Sequence, residues 1–77
     1  MNQSPTLPKE KSKQMDFPEA IRQIIAGKKV TRLEWKDENI YGILKDGYLM
    51  IYRESKFHQW TVNEEDMIRK DWIVVNR

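Results

Sequence analysis

Cysteine is absent from the chain, and histidine occurs once, as His58. A disulfide framework, a thiolate zinc site, a cysteine nucleophile and a histidine-rich metal site are therefore excluded. Glycine is confined to Gly27, Gly42 and Gly47. Each has a backbone explanation, so no glycine-rich loop cradles phosphates. No apolar run approaches the roughly 20 residues of a bilayer span. The first lysines are not followed by an apolar stretch, so the start does not read as a secretory signal. A strong excess of one charge is also missing. The net charge of the 77 residues is +2. That excess sits in residues 1–14, where Lys9, Lys11 and Lys13 outnumber Glu10, and the remainder is balanced. A nucleic-acid-binding domain carries its basic footprint on the folded part, so DNA is not an expected partner.

What remains is a 9.3 kDa chain, enough for one small domain. Residues 1–14, MNQSPTLPKEKSKQ, are polar, carry two prolines and lack hydrophobic periodicity. They read as a disordered extension before a single domain over 15–77. Asp16-Phe17-Pro18-Glu19 has the form of a helix start, with Asp16 as cap and proline tolerated in the first turn. Phe17, Ala20, Ile21, Ile24 and Ile25 form one apolar stripe, and Gly27 is placed to end the helix, which predicts a helix over 17–26. Lys29–Arg32 reads as a strand, and 33–39 as a polar turn holding Trp35. Strands over 40–45 and 48–53 flank Asp46-Gly47, a two-residue hairpin signal. Glu54-Ser55-Lys56 reads as a loop and Phe57–Thr61 as a short strand. Asn63 caps a short helix of about 64–70, and Trp72–Val75 is β-branched and terminal. The fold class is α+β: an N-terminal helix packed on a small antiparallel sheet, with a short second helix before the last strand.

The hairpin turn sets a register in which Leu44 faces Leu49, Ile43 faces Met50 and Tyr41 faces Tyr52. Ile40, Gly42, Leu44, Leu49 and Ile51 then share one face, and Tyr41, Ile43, Tyr48, Met50 and Tyr52 the other. Both faces are apolar or aromatic, and one helix covers only one of them. The second face calls for another copy of the chain, or for the C-terminal segment.

Catalysis finds little support. His58 has no partner placed by the sequence. Glu64, Glu65 and Asp66 stand in a helix first turn, where acids are favoured anyway. Binding has more support. Trp35 sits in a charged turn, three residues after Arg32, and an aromatic plane with a guanidinium suits a nucleobase and its phosphate. A ring folded back into a thin core is the competing reading. Trp72 reads as core, and Trp60 fits either role.

Two stretches carry a family resemblance. Gly27-Lys28-Lys29-Val30 leads into Arg32-Leu33-Glu34-Trp35. The end reads Trp60-Thr61-Val62-Asn63-Glu64-Glu65-Asp66-Met67-Ile68-Arg69-Lys70-Asp71-Trp72-Ile73-Val74-Val75. The chain resembles, over about 15–76, the small phage and prophage domain of the second type of Thoeris anti-defence proteins. Asn63 stands where serine is common and keeps a capping role, Arg69 stands where alanine is usual, and the central hairpin is shorter than in many members. The resemblance implies a non-enzymatic sponge that sequesters a cyclic nucleotide immune signal without cleaving it. That signal is the glycocyclic ADP-ribose of Thoeris, or cyclic oligonucleotides of other systems such as CBASS. It further implies a homo-oligomer, dimer or tetramer, acting in the cytoplasm of the infected bacterial host, with no cofactor and no metal. By position and chemistry the base is assigned to Trp35 or Tyr41. Phosphates go to Arg32, a lysine or the amides after Asn63, and ribose hydroxyls to Asp66 or Asn39, with Trp60 nearby. A single-stranded nucleic-acid binder using Tyr41, Tyr48 and Tyr52, and a protein-interaction inhibitor of a host enzyme, are the competing classes.

Overall fold

The computed structural model of the chain describes residues 13–76. All of the expected extension except Lys13 and Gln14 lies outside the described residues, and those two are exposed coil. Helix α1 spans Phe17–Ile25. Its start is set by Asp16, whose carboxylate accepts the Glu19 N–H at 3.2 Å, one of the donors that a helix start leaves orphaned. Its end is a Schellman motif. Gly27, at φ 95°, donates its N–H to the Ile24 carbonyl, and Lys28 donates to the Gln23 carbonyl, both at 2.9 Å. A side chain at position 27 would strain that left-handed turn.

Strand β1 (Lys29–Arg32) leads into a 3-10 turn at Leu33–Trp35, which Lys36 closes in the left-handed region at φ 57°. Strands β2 (Tyr41–Lys45), β3 (Tyr48–Arg53) and β4 (Lys56–Gln59) form a meander, followed by α2 (Glu64–Ile68) and β5 (Trp72–Val75). The five strands make one sheet in the order β4-β3-β2-β1-β5, antiparallel throughout. The fold class is α+β, as the sequence pattern indicates. The Asp46-Gly47 turn has both residues at positive φ and sets the expected register, Tyr41 opposite Tyr52 and Leu44 opposite Leu49. No helix among the described residues is long and apolar enough to cross a membrane.

Some boundaries differ from the sequence pattern. The β3–β4 connection is a two-residue turn, Glu54-Ser55, so Lys56 already belongs to β4. Helix α2 stops at Ile68, two residues early, because Arg69 has returned to extended backbone. Ile25 is 67% exposed. The buried ridge of so short a helix is centred on Ala20 and Ile24, and Ile25 falls on its flank.

The core lies between α1 and one face of the sheet. Ala20, Ile24, Val30, Ile51, Trp60 and Trp72 are buried there. Trp72 has no exposure and meets Phe17 at 5.4 Å, Trp35 at 5.5 Å and Trp60 at 5.6 Å between ring centres. The ring of Trp60 lies against β2 at Gly42, where a Cβ would stand 2.2 Å from its Cζ3 atom. The opposite face carries Tyr41, Ile43, Met50 and Tyr52 and receives no helix among the described residues. Strand β5 does not cover it either, because it joins the sheet as the neighbour of β1. Part of that face is closed by residues 36–40, where the Thr31 hydroxyl donates to the Ile40 carbonyl at 2.6 Å.

The contact at Gly42 sets a measurable cost. Gly42→Ala should lower unfolding free energy by about 1–3 kcal/mol, the range for overpacking a core. Measured in a Trp60→Leu background, the same substitution should cost less in urea denaturation, whatever Trp60→Leu itself costs. An unchanged midpoint for Gly42→Ala would mean that the indole moves aside without cost.

Candidate functional site

The seven residues assigned to ligand binding by the sequence fall into three places. Trp35, Trp60, Asn63 and Asp66 line one cleft of about 340 Å³, with Arg53 and Gln59 on its rim. Tyr41 and Asn39 line a second cleft of about 570 Å³ on the opposite sheet face, beside Lys29, Tyr52, Phe57 and Val75. Arg32 lines neither of these two.

Arg32 is an internal strut. Its side chain is 8% exposed, and its Nε donates to Asp71 Oδ1 at 2.8 Å. Its Nη2 donates to Glu34 Oε1 at 2.5 Å. Asp71 Oδ2 also accepts the Glu34 backbone N–H at 3.0 Å. The guanidinium carbon lies 6.0 Å from the Trp35 ring centre and 5.9 Å from that of Trp72. Arg32 therefore spends its charge on two carboxylates and its plane on two indoles, and it supports Trp35 from beneath. Burial pushes the Asp71 carboxyl up, but hydrogen bonds from the Arg32 side chain and the Glu34 amide outweigh it. The carboxyl ends below the ordinary carboxylate range. Burial likewise opposes the charge on Arg32, and Asp71 and Glu34 more than restore it.

Asn63 and Asp66 form a reciprocal capping box. Asn63 Oδ1 accepts the Asp66 N–H at 3.0 Å, and Asp66 Oδ2 accepts the Asn63 N–H at 3.1 Å. The same Oδ2 accepts the Trp60 indole N–H at 3.3 Å, while the Asp66 carbonyl accepts that of Trp72, also at 3.3 Å. Asn63 Oδ1 and Asp66 Oδ2 are thus engaged in holding the cleft wall. Trp60 is buried at 8% exposure. Trp35 differs from it. The ring is half-buried, edge-on to Trp72 at 84°, and also bounds an adjoining apolar recess with Ile40 and Ile51. The same Trp35 thus plugs the core with one edge and lines a cleft with the rest of its surface. The core reading accounts for its contact with Trp72.

The second cleft is an aromatic row across the uncovered face. Tyr41 stacks on Tyr52 at 5.2 Å, and Tyr52 meets Phe57 at 4.8 Å. Lys29 Nζ lies 4.8 Å from the Tyr41 ring centre and Lys45 Nζ 5.0 Å from that of Phe57. Burial, then the neighbouring Tyr52, raises the Tyr41 phenol above its ordinary value, so it stays a hydrogen-bond donor at neutral pH. Lys29, Phe57 and Arg53 were missed by sequence reasoning. Phe57 joins the row by standing opposite Tyr52 across the β3–β4 pair, and alternation from Ile51 would have put Arg53 on the inner face.

The family profile of the Thoeris anti-defense 2-like domain matches residues 15–75, and the chain belongs to that family. An anti-defence role against Thoeris goes with the membership. A search of curated proteins finds no match.

The Arg32–Asp71 pair makes stability depend on pH in a fixed direction. A carboxyl held low in the fold adds stability that is complete above its unfolded value, near 4, and is lost as pH falls through the folded value. Urea midpoints should therefore drop on acidification below about pH 4. Asp71→Asn should cost about 3 kcal/mol at pH 7, since it weakens a mostly buried pair, and should flatten the acid limb. An acid limb as steep as that of the parent chain would assign the dependence to other carboxylates.

Proposed function

We propose that this member of the Thoeris anti-defense 2-like family works by sequestration, binding a cyclic nucleotide immune signal and leaving it intact. The observation that carries the reading is Trp35, a half-buried indole held edge-on by Trp72 and backed by Arg32, at the border of a polar cleft and an apolar recess. A base stacks on such a fixed ring at little entropic cost, because the side chain is already ordered. The ligand is glycocyclic ADP-ribose or a cyclic oligonucleotide. Binding of this kind needs no nucleophile, metal or cofactor, and the chain acts as a binding protein of the infected host's cytoplasm.

The uncovered sheet face supports a second part of the proposal, a homo-oligomer. Tyr48 is 66% exposed and lies on the same face as the Tyr41–Tyr52–Phe57 row. Burying such a surface against another copy is the ordinary remedy for a small chain with a thin core. The Trp35 cleft lies at the end of the other face, so assembly leaves it open.

Protein mixed with glycocyclic ADP-ribose and with cyclic di- and trinucleotides, filtered and then heated, should release one of them unaltered. A cleaved product would make the protein an enzyme, and retention of none would end the sequestration reading. Trp35→Ala should weaken binding by about tenfold or more, the scale of one lost base–aromatic stack, with far-UV circular dichroism unchanged. Tyr52→Ala should shift the mass in analytical ultracentrifugation toward the monomer. An unaltered oligomer would move the interface elsewhere.

A further inference from the structure

We propose that the tip of the β3–β4 hairpin, Arg53 with Lys56, is the anion anchor of the Trp35 cleft and holds a phosphate of the bound nucleotide. The proposal rests on the cyclic-nucleotide reading and names the group of the ligand that this part of the site takes.

Three independent features of the hairpin converge. The first is position. Arg53 follows Ile51 by two residues, so it shares the inner face, and it lines both the polar cleft and the apolar recess beside Trp35. The second is availability. Arg32, whose guanidinium lies 6.0 Å from the Trp35 ring centre, is consumed by Asp71 and Glu34. Arg53 and Lys56 have no side-chain hydrogen bond or ion pair among the described residues, nor does Glu54 between them. The third is energetic. Arg53 and Lys56 stand directly opposite each other across the antiparallel pair, an arrangement in which like charges destabilise the sheet.

The turn that joins them adds to that cost. Glu54 and Ser55 sit at φ 53° and 65°, a left-handed pair that glycine or asparagine adopts more easily. The other hairpin of the same sheet uses Asp46-Gly47 for the same geometry. A hairpin that opposes two cations over an unfavourable turn is poorly chosen for folding alone. It is well chosen for a phosphate, which neutralises both charges at once. The guanidinium offers a planar fork of donors and the ammonium a point charge.

Stability and affinity should therefore respond in opposite directions. Lys56→Thr removes the repulsion and adds a β-branched residue. It should raise Tm while weakening binding of glycocyclic ADP-ribose or cyclic di-AMP by about tenfold. Arg53→Ala should weaken binding at least as much, and binding to the parent chain should fall with added salt. Inorganic pyrophosphate alone should shift the Arg53 Nε–H resonance in the parent chain. If the parent binds a cyclic nucleotide and both variants bind it equally well, the anchor is wrong and the sequestration reading stands. If no cyclic nucleotide binds but pyrophosphate moves the Arg53 signal, the hairpin is an anion site and the sequestration reading falls. If neither ligand has any effect, both are wrong.

Discussion

Two indole N–H groups converge on one residue, and the rest of the molecule is arranged around that meeting. Trp60 donates to the Asp66 carboxylate and Trp72 to the Asp66 carbonyl. Trp60 is the last residue before the segment that leads to α2, and Trp72 opens β5. Asp66 thereby ties two strand ends to the helix between them, and its carboxylate also closes the cap of that helix. A buried indole N–H without an acceptor is costly, so this arrangement lets two large rings enter a core that is otherwise a few aliphatic side chains. Those rings then supply the contact surface for Phe17 on α1 and for Trp35 on the 3-10 turn. In a chain of 77 residues, where apolar area is scarce, tryptophan does the work that several smaller side chains do in a larger domain.

Local signals were legible where the chain decides its own shape over a few residues. Asp16 capping α1, Gly27 ending it, Asp46-Gly47 turning the hairpin and Asn63 starting α2 each act through backbone groups no more than four or five positions away. The hairpin even fixed which residues share a face. Contacts between distant positions were not legible. Nothing near Arg32 announces that Asp71, 39 positions on, takes its guanidinium, so its pairing with Trp35 looked like an open recognition element. Gly42 reads as an ordinary strand glycine, and its reason is the Trp60 ring, from the segment after β4, lying on it. The Glu54-Ser55 turn carries no glycine or asparagine, so its type was hidden although its geometry is that of the other hairpin.

The site divides along the same line. Asn63, Asp66 and Trp60 suit a nucleotide by their chemistry, and the fold brings them to one cleft with Trp35. Yet Asn63 Oδ1 and Asp66 Oδ2 are used in holding the wall together. Their contribution is rigidity, and rigidity is what a binding protein without turnover needs, because every ordered contact is one that the ligand does not have to order. The side chains left with unspent hydrogen-bonding capacity are on the hairpin and at the rim, Arg53 and Gln59 among them.

The two sheet faces follow from this economy. The inner face is closed by α1 except at its far end, where the helix does not reach and Trp35 borders the opening. Among the described residues only the 36–40 segment reaches over part of the outer face, which keeps its aromatic row. Strand β5 is already committed as the partner of β1 along four register pairs. The residues that end α1 at Gly27 and send the chain directly into β1 thus also decide that the helix protects one side only. A short helix, a five-stranded sheet and one exposed aromatic face are consequences of the same few turns.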